Sequence, residues 1–444
     1  MRRTLVWMML GVSQLVTAQV LPADSVKVLE AVLNTGARYR MEMPVAWNGR
    51  ALLYSRGYSS SINDNIRVSP GLEREQLLAQ GYALVASNYA KPGWSLEEAV
   101  PDQLAVMSAF EAQFGKPQQV IAWGSSMGGL ISLALLEQYP QKFDAGIALC
   151  ASASGTLGMM NTALDGAWVF STLIKTDVPL PSMLRQTGAA DQSERAAWKR
   201  AVEDAQSTPL GRARLALAAS VSHIHPWSLG RTHPASNDIT AMQLGMKENF
   251  LAGVLLPRDD QEKRAGGNFS WNQSVRYDHA LSQSGRLAFV KQLYQQAGAS
   301  LDDDLEALAR APRVVADEAA LNYMAKNYVP SGQMQKPFLL MQTVSDPMTL
   351  PEFTEDYKRT AEAAGRGAWV RTTYVDRVGH CNFTPQEVLA SLQAVQTKLS
   401  QSEWRTSPSD MNQWAGSNTF VVNTPPALNR ACSVGPRGCD GKTK

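Results

Sequence analysis

Between residues 120 and 131 the chain passes from an apolar run, Val120-Ile121-Ala122-Trp123, through Gly124-Ser125-Ser126-Met127-Gly128, into a helical pattern opening Gly129-Leu130-Ile131. Strand, sharp turn and helix, in that order, lift a serine hydroxyl clear of the backbone at a strand end. The turn is strained and the flanking elements pass close by. Gly124 and Gly128 have no side chain to obstruct that approach. No other G-x-S-x-G match occurs in the chain. Such a turn needs a sheet behind it, and the flanking sequence supplies one. Residues 38–47 alternate, and Asn48-Gly49 predicts a hairpin turn into a strand at 50–55. Leu72 to Gln80 reads as a helix ended by Gly81. Tyr82 to Ala86 reads as a strand, and Ser95 to Phe114 as a long amphipathic helix with Ser95 as its cap and a break risk at Pro101. A further strand, Ala145 to Leu149, ends at Cys150. Strands alternating with helices predict an α/β fold, a parallel sheet covered on both faces.

A serine nucleophile needs a base, and the base needs an orienting acid. The chain has five histidines. His223, His225, His233 and His279 lie mid-chain, in sequence without strand character. His380 follows the β-like run Val370 to Val375 and precedes a helix start. There Thr384 is the N-cap, Pro385 is N1 and Glu387 is N3, a capping box. His380 therefore sits on a strand-to-helix loop, where a base can be presented. The acid candidate is Asp346, after the buried-strand pattern Phe338 to Met341. Pro347 stops that strand and favours an extended Asp346. The alternative for Asp346 is a turn aspartate bonding its own backbone. Asp376, just before His380, is the rival acid, and its place on the last strand predicts a surface residue. His223, His225 and His233 would be metal ligands only with a supporting Cys or acidic pattern. None accompanies them, so a polar loop is expected.

On these residues the chain resembles the α/β-hydrolase superfamily of serine hydrolases, over about residues 38–155 and 336–400. The resemblance rests on the Gly124–Gly128 turn, the Ser345-Asp346-Pro347 turn and the Gly379-His380 loop. The order Ser126, Asp346, His380 is that family's order. It implies the α/β-hydrolase fold, a mostly parallel sheet with helices on both faces and a large helical lid insertion. The implied division is a core at 19–155, the insertion at 156–335 between the sixth and seventh strands, and core again at 336–400. A Ser-, Asn-, Pro- and Gly-rich tail at 401–444 is expected to wrap the surface. Within the insertion, Ser193–Ala205, Thr208–Val221 and Arg286–Ala297 read as helices. Trp168, Phe170, Trp227, Phe250, Trp271 and Tyr277 provide lid core or pocket lining. A developing oxyanion would meet the N–H of Met127 and one from the loop after Leu52-Leu53-Tyr54-Ser55, at Tyr58 or a close neighbour. Here the chain departs from a common family pattern, with Arg56-Gly57-Tyr58 where many members carry His-Gly.

Composition and the termini bound the setting. With 444 residues, 44% hydrophobic and 18% charged, the chain can bury an ample core. A net charge of +2, from 42 basic and 40 acidic residues, predicts no nucleic-acid or strongly acidic partner. Residues 1–18 read as a secretory signal, with Arg2 and Arg3, an apolar stretch from Leu5 to Val16, and small residues for cleavage after Ala18. That stretch is too short to span a bilayer and no other segment is apolar enough. Arg2-Arg3 also permits twin-arginine export. The expected address is secreted or periplasmic, which the four cysteines fit. Cys432 and Cys439 suit a small disulfide loop in the tail. In the resembled fold Cys150 and Cys381 stand at strand ends on one side of the sheet. That implies a bridge fixing the His380 loop, with two buried thiols as the alternative. No cofactor or metal is expected. The expected function is an exported serine hydrolase cleaving small-molecule or oligomeric carboxylic esters through an acyl-enzyme. A peptidase or amidase acting on short peptides is the runner-up. A non-catalytic binding protein that kept the fold is the third reading.

Overall fold

The computed structural model describes residues 25–62, 65–174, 177–178, 180–181 and 190–428. The expected signal segment at 1–18 and the expected Cys432–Cys439 pair lie outside these residues.

Among the described residues nine strands form one sheet: β1 Val26–Val32, β2 Arg38–Pro44, β3 Arg50–Ser55, β4 Ala83–Ser87, β5 Gln119–Ser125, β6 Ala145–Leu149, β7 Phe338–Ser345, β8 Val370–Val378 and β9 Phe420–Val421. Their order is β1-β2-β4-β3-β5-β6-β7-β8-β9. The run from β4 to β8 is parallel, and β1, β2 and β9 are antiparallel to their neighbours. Side chains alternate across a strand, so each central strand feeds two cores. Leu53, Ala122, Ala148 and Leu340 face one core, under the helices Leu96–Phe114, Met127–Gln138 and Pro351–Ala363. Leu52, Ile121, Ile147 and Leu339 face the other, under Arg74–Ala79 and Pro385–Gln401. Among the described residues no helix is long and apolar enough to cross a membrane.

Three expectations are corrected. The chain does turn at Asn48-Gly49, with Gly49 at φ 81°, but it makes no hairpin. β2 pairs with β1 and β4, and β4 lies between β2 and β3. β3 is buried on both faces and takes a parallel partner on each edge, β4 and β5. Asn48 instead docks on the turn before β4, donating to the carbonyls of Gly81 and Gln80. The helix Leu96–Phe114 runs through Pro101 unbroken. Asp102 anchors its first half by accepting from the Ala90 N–H at 2.8 Å and the Thr35 hydroxyl at 2.7 Å. The tail is partly structured. Helix Pro408–Ala415 is capped by Ser407, and β9 extends the sheet beside β8, burying Met411 and Phe420.

Between β6 and β7 the described chain is helical, from Gly155–Leu173 to Glu318–Asn327. The three expected helices appear as Ala190–Gln206, Pro209–Val221 and Leu287–Ala297. Trp168, Phe170, Phe250, Trp271 and Tyr277 are buried within this segment, while Trp227 is half-buried. The segment leaves β6 at the end of the sheet that carries Ser126 and Asp346 and, because β6 and β7 are parallel, enters β7 at the opposite end.

Candidate active site

Ser126 follows β5 and caps the helix Met127–Gln138, with φ 58° and ψ −124°. A left-handed φ on a non-glycine residue is strained and persists only where the surroundings enforce it. Here the Ser126 N–H is held by the Leu149 carbonyl at 2.9 Å. The close approach that enforces the turn is measurable. A Cβ on Gly128 would lie 1.9 Å from the Ser55 carbonyl oxygen, and one on Gly124 2.2 Å from the Gly128 carbonyl oxygen. The neighbouring Ser125 hydroxyl is occupied differently, accepting from the Tyr54 hydroxyl at 3.4 Å.

His380 lies on the loop between β8 and the helix Pro385–Gln401, whose capping box forms as the sequence predicts. The loop is stitched to β7. Gly379, at φ 106°, donates its N–H to the Ser345 carbonyl at 2.8 Å and accepts from the Thr343 hydroxyl at 3.0 Å. His380 Nε2 is 2.9 Å from Ser126 Oγ, and Nδ1 is 2.8 Å from Asp346 Oδ2. A carboxylate only accepts, so Nδ1 carries the proton and the Nε2 lone pair faces the serine hydroxyl. Burial would lower the imidazole pKa, but the charge and hydrogen bond of Asp346 outweigh it and raise it above the ordinary value.

Asp346 is fully buried just past β7. Its two oxygens face different partners. Its Oδ1 accepts the N–H groups of Met348 at 2.9 Å and Thr349 at 3.0 Å, which makes it a turn aspartate, while Oδ2 faces His380. The rival Asp376 is exposed on β8, with its N–H on the Thr419 carbonyl. Cys150 and Cys381 are bridged, with Cα atoms 5.2 Å apart, and Cys381 Sγ lies 3.6 Å from His380 Nε2.

The loop after β3 lies over the serine. A Cβ on Gly57 would sit 3.2 Å from Ser126 Cβ and 3.8 Å from its Oγ. Arg56 fastens this loop, donating to the carbonyls of Gly57 at 2.9 Å and Asn88 at 2.7 Å, with its guanidinium 4.5 Å over the Tyr89 ring. Tyr58 is half-buried and borders a cavity of about 250 Å³ shared with Leu255, Leu256 and the charged residues Arg195, Asp259 and Asp260. Met127 is the first helical residue, where an N–H has no carbonyl to meet within its helix.

Two of the mid-chain histidines converge on a carboxylate, and His233 stands apart from them. His223 and His225 flank Glu352, with nitrogens 3.6 Å and 3.3 Å from its Oε1, and His233 packs against Trp227. His223 and Glu352 are fully buried, which the expected polar loop did not anticipate. Burial would raise the Glu352 pKa, but the two imidazoles hold it well below the ordinary carboxylate range. Among the described residues, the one group of donors close enough together for a metal ion is Cys150, His380 and Cys381. The two sulfurs are already bonded to each other, so neither is available as a thiolate. Sequence reasoning missed two further residues: Thr349, three residues past Asp346 and unmarked by any motif, and Glu352, which only the fold brings to the histidines.

The family model described as alpha/beta hydrolase fold matches residues 51–228. An o-phthalyl amidase of Xanthobacter agilis is 27% identical over 420 residues, covering 87% of this chain and 91% of the amidase. Among solved structures, an esterase of Pyrococcus furiosus is similar at 13% identity with a TM-score of 0.39, covering 85% of this chain and 91% of that one. Feruloyl esterase B from Aspergillus oryzae is similar at 13% identity and a TM-score of 0.38, covering 85% of this chain and 80% of that one. The family match spans β3 to β6 and the serine turn between them, and the sheet continues in parallel register through β8 to the His380 loop. The chain has the α/β-hydrolase fold.

Proposed function

We propose that the protein is a serine hydrolase that cleaves a carboxylic ester through an acyl-enzyme. One observation carries the reading: a continuous contact from Ser126 Oγ through His380 to the buried Asp346, at 2.9 and 2.8 Å. In the proposed reaction His380 Nε2 takes the Ser126 proton as Oγ attacks the substrate carbonyl carbon. Asp346 stabilises the imidazolium that forms. The tetrahedral oxyanion meets the N–H groups of Met127 and Tyr58. His380 then gives its proton to the departing group, the carbonyl re-forms, and Ser126 is acylated. Water, deprotonated by His380, attacks the acyl carbon and releases the acid and the free serine.

Amide hydrolysis is the second reading. It uses the same steps with an amine as the departing group, and the amidase relationship over 87% of the chain favours it. Export to the periplasm or the exterior is also proposed. The Cys150–Cys381 bridge supports an oxidising compartment.

The test is a substrate panel: p-nitrophenyl esters of increasing chain length, aromatic esters, and aminoacyl and phthalyl anilides. The ester reading expects turnover of short or aromatic esters well above the anilides. Anilide turnover equal to or above ester turnover moves the assignment to an amidase. No turnover, together with no labelling by a fluorophosphonate, leaves the non-catalytic reading.

A further inference from the structure

Thr349 is buried, 2% exposed, and stands where three parts of the site meet. Its Oγ1 is 2.8 Å from Asp346 Oδ2, 3.1 Å from His380 Nδ1 and 2.9 Å from the Cys150 carbonyl oxygen. Its N–H donates to Asp346 Oδ1, and its carbonyl accepts from the Gln342 side chain. Cys150 is bridged to Cys381, the residue after His380. The contacts therefore close a ring: Cys150 carbonyl, Thr349 hydroxyl, Asp346 carboxylate, His380 imidazole, Cys381, and back through the disulfide to Cys150. We propose that Thr349 is a positioning residue. Its hydroxyl fixes Asp346 Oδ2 as the oxygen that meets His380, and it draws off part of that oxygen's charge. This inference rests on the reading of Ser126, His380 and Asp346 as a catalytic set.

The chemistry follows from counting donors. A threonine hydroxyl has one proton to give and two lone pairs. Two acceptors compete for that proton, the Cys150 carbonyl and the carboxylate, and the charged carboxylate is the stronger. Oδ2 then receives two hydrogens, from Thr349 Oγ1 and His380 Nδ1, while Oδ1 receives two from the backbone of Met348 and Thr349. The carboxylate is filled and cannot rotate without breaking all four bonds. A donor sharing Oδ2 weakens the pull of Asp346 on the imidazole proton, because hydrogen bonding disperses the charge that stabilises imidazolium. Without the hydroxyl, Oδ2 serves His380 alone. The imidazole then holds its proton to higher pH, and less of it is free as base at neutral pH.

The experiment compares Thr349→Val, Thr349→Ser and Thr349→Ala in the full chain. The His380 titration is followed by NMR on histidine-labelled protein, with His380→Gln assigning its signal among the five histidines. The expected result for Thr349→Val is a His380 titration and a kcat acid limb moved up by about half a pH unit. With it goes a kcat loss of roughly tenfold at neutral pH and an unchanged KM. Thr349→Ser should restore both. A His380 titration unmoved in Thr349→Val, or a serine variant no better than the alanine, overturns the proposal. If Thr349→Val fails to fold, the serine–alanine pair carries the same comparison, since the two differ by the hydroxyl. The titration needs no substrate. Loss of the triad reading would show as activity surviving in Ser126→Ala, an outcome independent of the Thr349 result.

Discussion

Removing the Cys150–Cys381 bridge, by replacing both residues with alanine, separates what the disulfide does for the fold from what it does for His380. The bridge closes a loop with a sequence separation of 231. Chain-entropy bookkeeping puts the cost of losing such a cross-link near its upper range, and a loss of about 2–5 kcal/mol is expected because unfolded-state structure reduces the ideal value. The local effect is separable. Without the bridge the loop keeps the Gly379 N–H to Ser345 bond and the Thr343 to Gly379 bond, so His380 stays near its place. It loses the constraint on Cys381, whose φ of 54° is in the left-handed region. A displaced base of this kind costs on the order of 10–100-fold in kcat with little change in KM. Denaturant unfolding at pH 7 measures the first quantity and steady-state kinetics in the absence of denaturant the second. Reduction of the wild type should likewise lower activity before the unfolding transition begins. A double variant with lowered stability but unaltered kcat would refute the positioning role, and one with unaltered stability would refute the entropic estimate.

Asp346→Asn should lower kcat by on the order of 10⁴, as loss of an orienting acid does, whereas Asp376→Asn should leave it nearly unchanged; the reverse order would reassign the acid. The pH dependence carries a sign. Asp346 raises the His380 pKa above the ordinary imidazole value of 6.5, so turnover, which needs neutral imidazole, rises with pH through that raised value. The His380–Asp346 contribution to stability runs oppositely, present in full below the unfolded value and lost as pH rises through the folded one. In Asp346→Asn only burial remains, and the acid limb of the rate profile should fall below 6.5. Gly128→Ala should cost about 3 kcal/mol or more, because the added Cβ would lie 1.9 Å from the backbone oxygen of Ser55, which cannot move aside. Soluble, fully active Gly128→Ala protein would contradict that packing.

Much of the architecture was legible because its determinants are local. The apolar runs of β5, β6 and β7, the Ser126 turn with Gly124 and Gly128, and the Thr384–Glu387 capping box each encode their structure within a few residues. Pairing is not local. Asn48-Gly49 specifies a turn, but nothing in residues 38–55 says that β4, arriving after a helix, will take the edge of β3 that a hairpin would have used. The short β9 was hidden for a similar reason, since two residues of strand gain their ladder only from β8. Within the site, Ser126, Asp346 and His380 could be read from their strand-end contexts and their order. Thr349 could not, because its meaning lies in three contacts, to Asp346, His380 and Cys150, that exist only once β6, β7 and β8 are parallel neighbours. His223, His225 and Glu352 meet on the same terms, 127 residues apart between His225 and Glu352.

The most direct test of the proposed chemistry is to treat the purified protein with a fluorophosphonate and locate the adduct by peptide mass spectrometry. A single phosphonylated residue, Ser126, with loss of turnover in proportion to labelling and no adduct in Ser126→Ala, is the predicted result. An adduct on Ser125 or another serine, or turnover that persists in fully labelled protein or in Ser126→Ala, would contradict it.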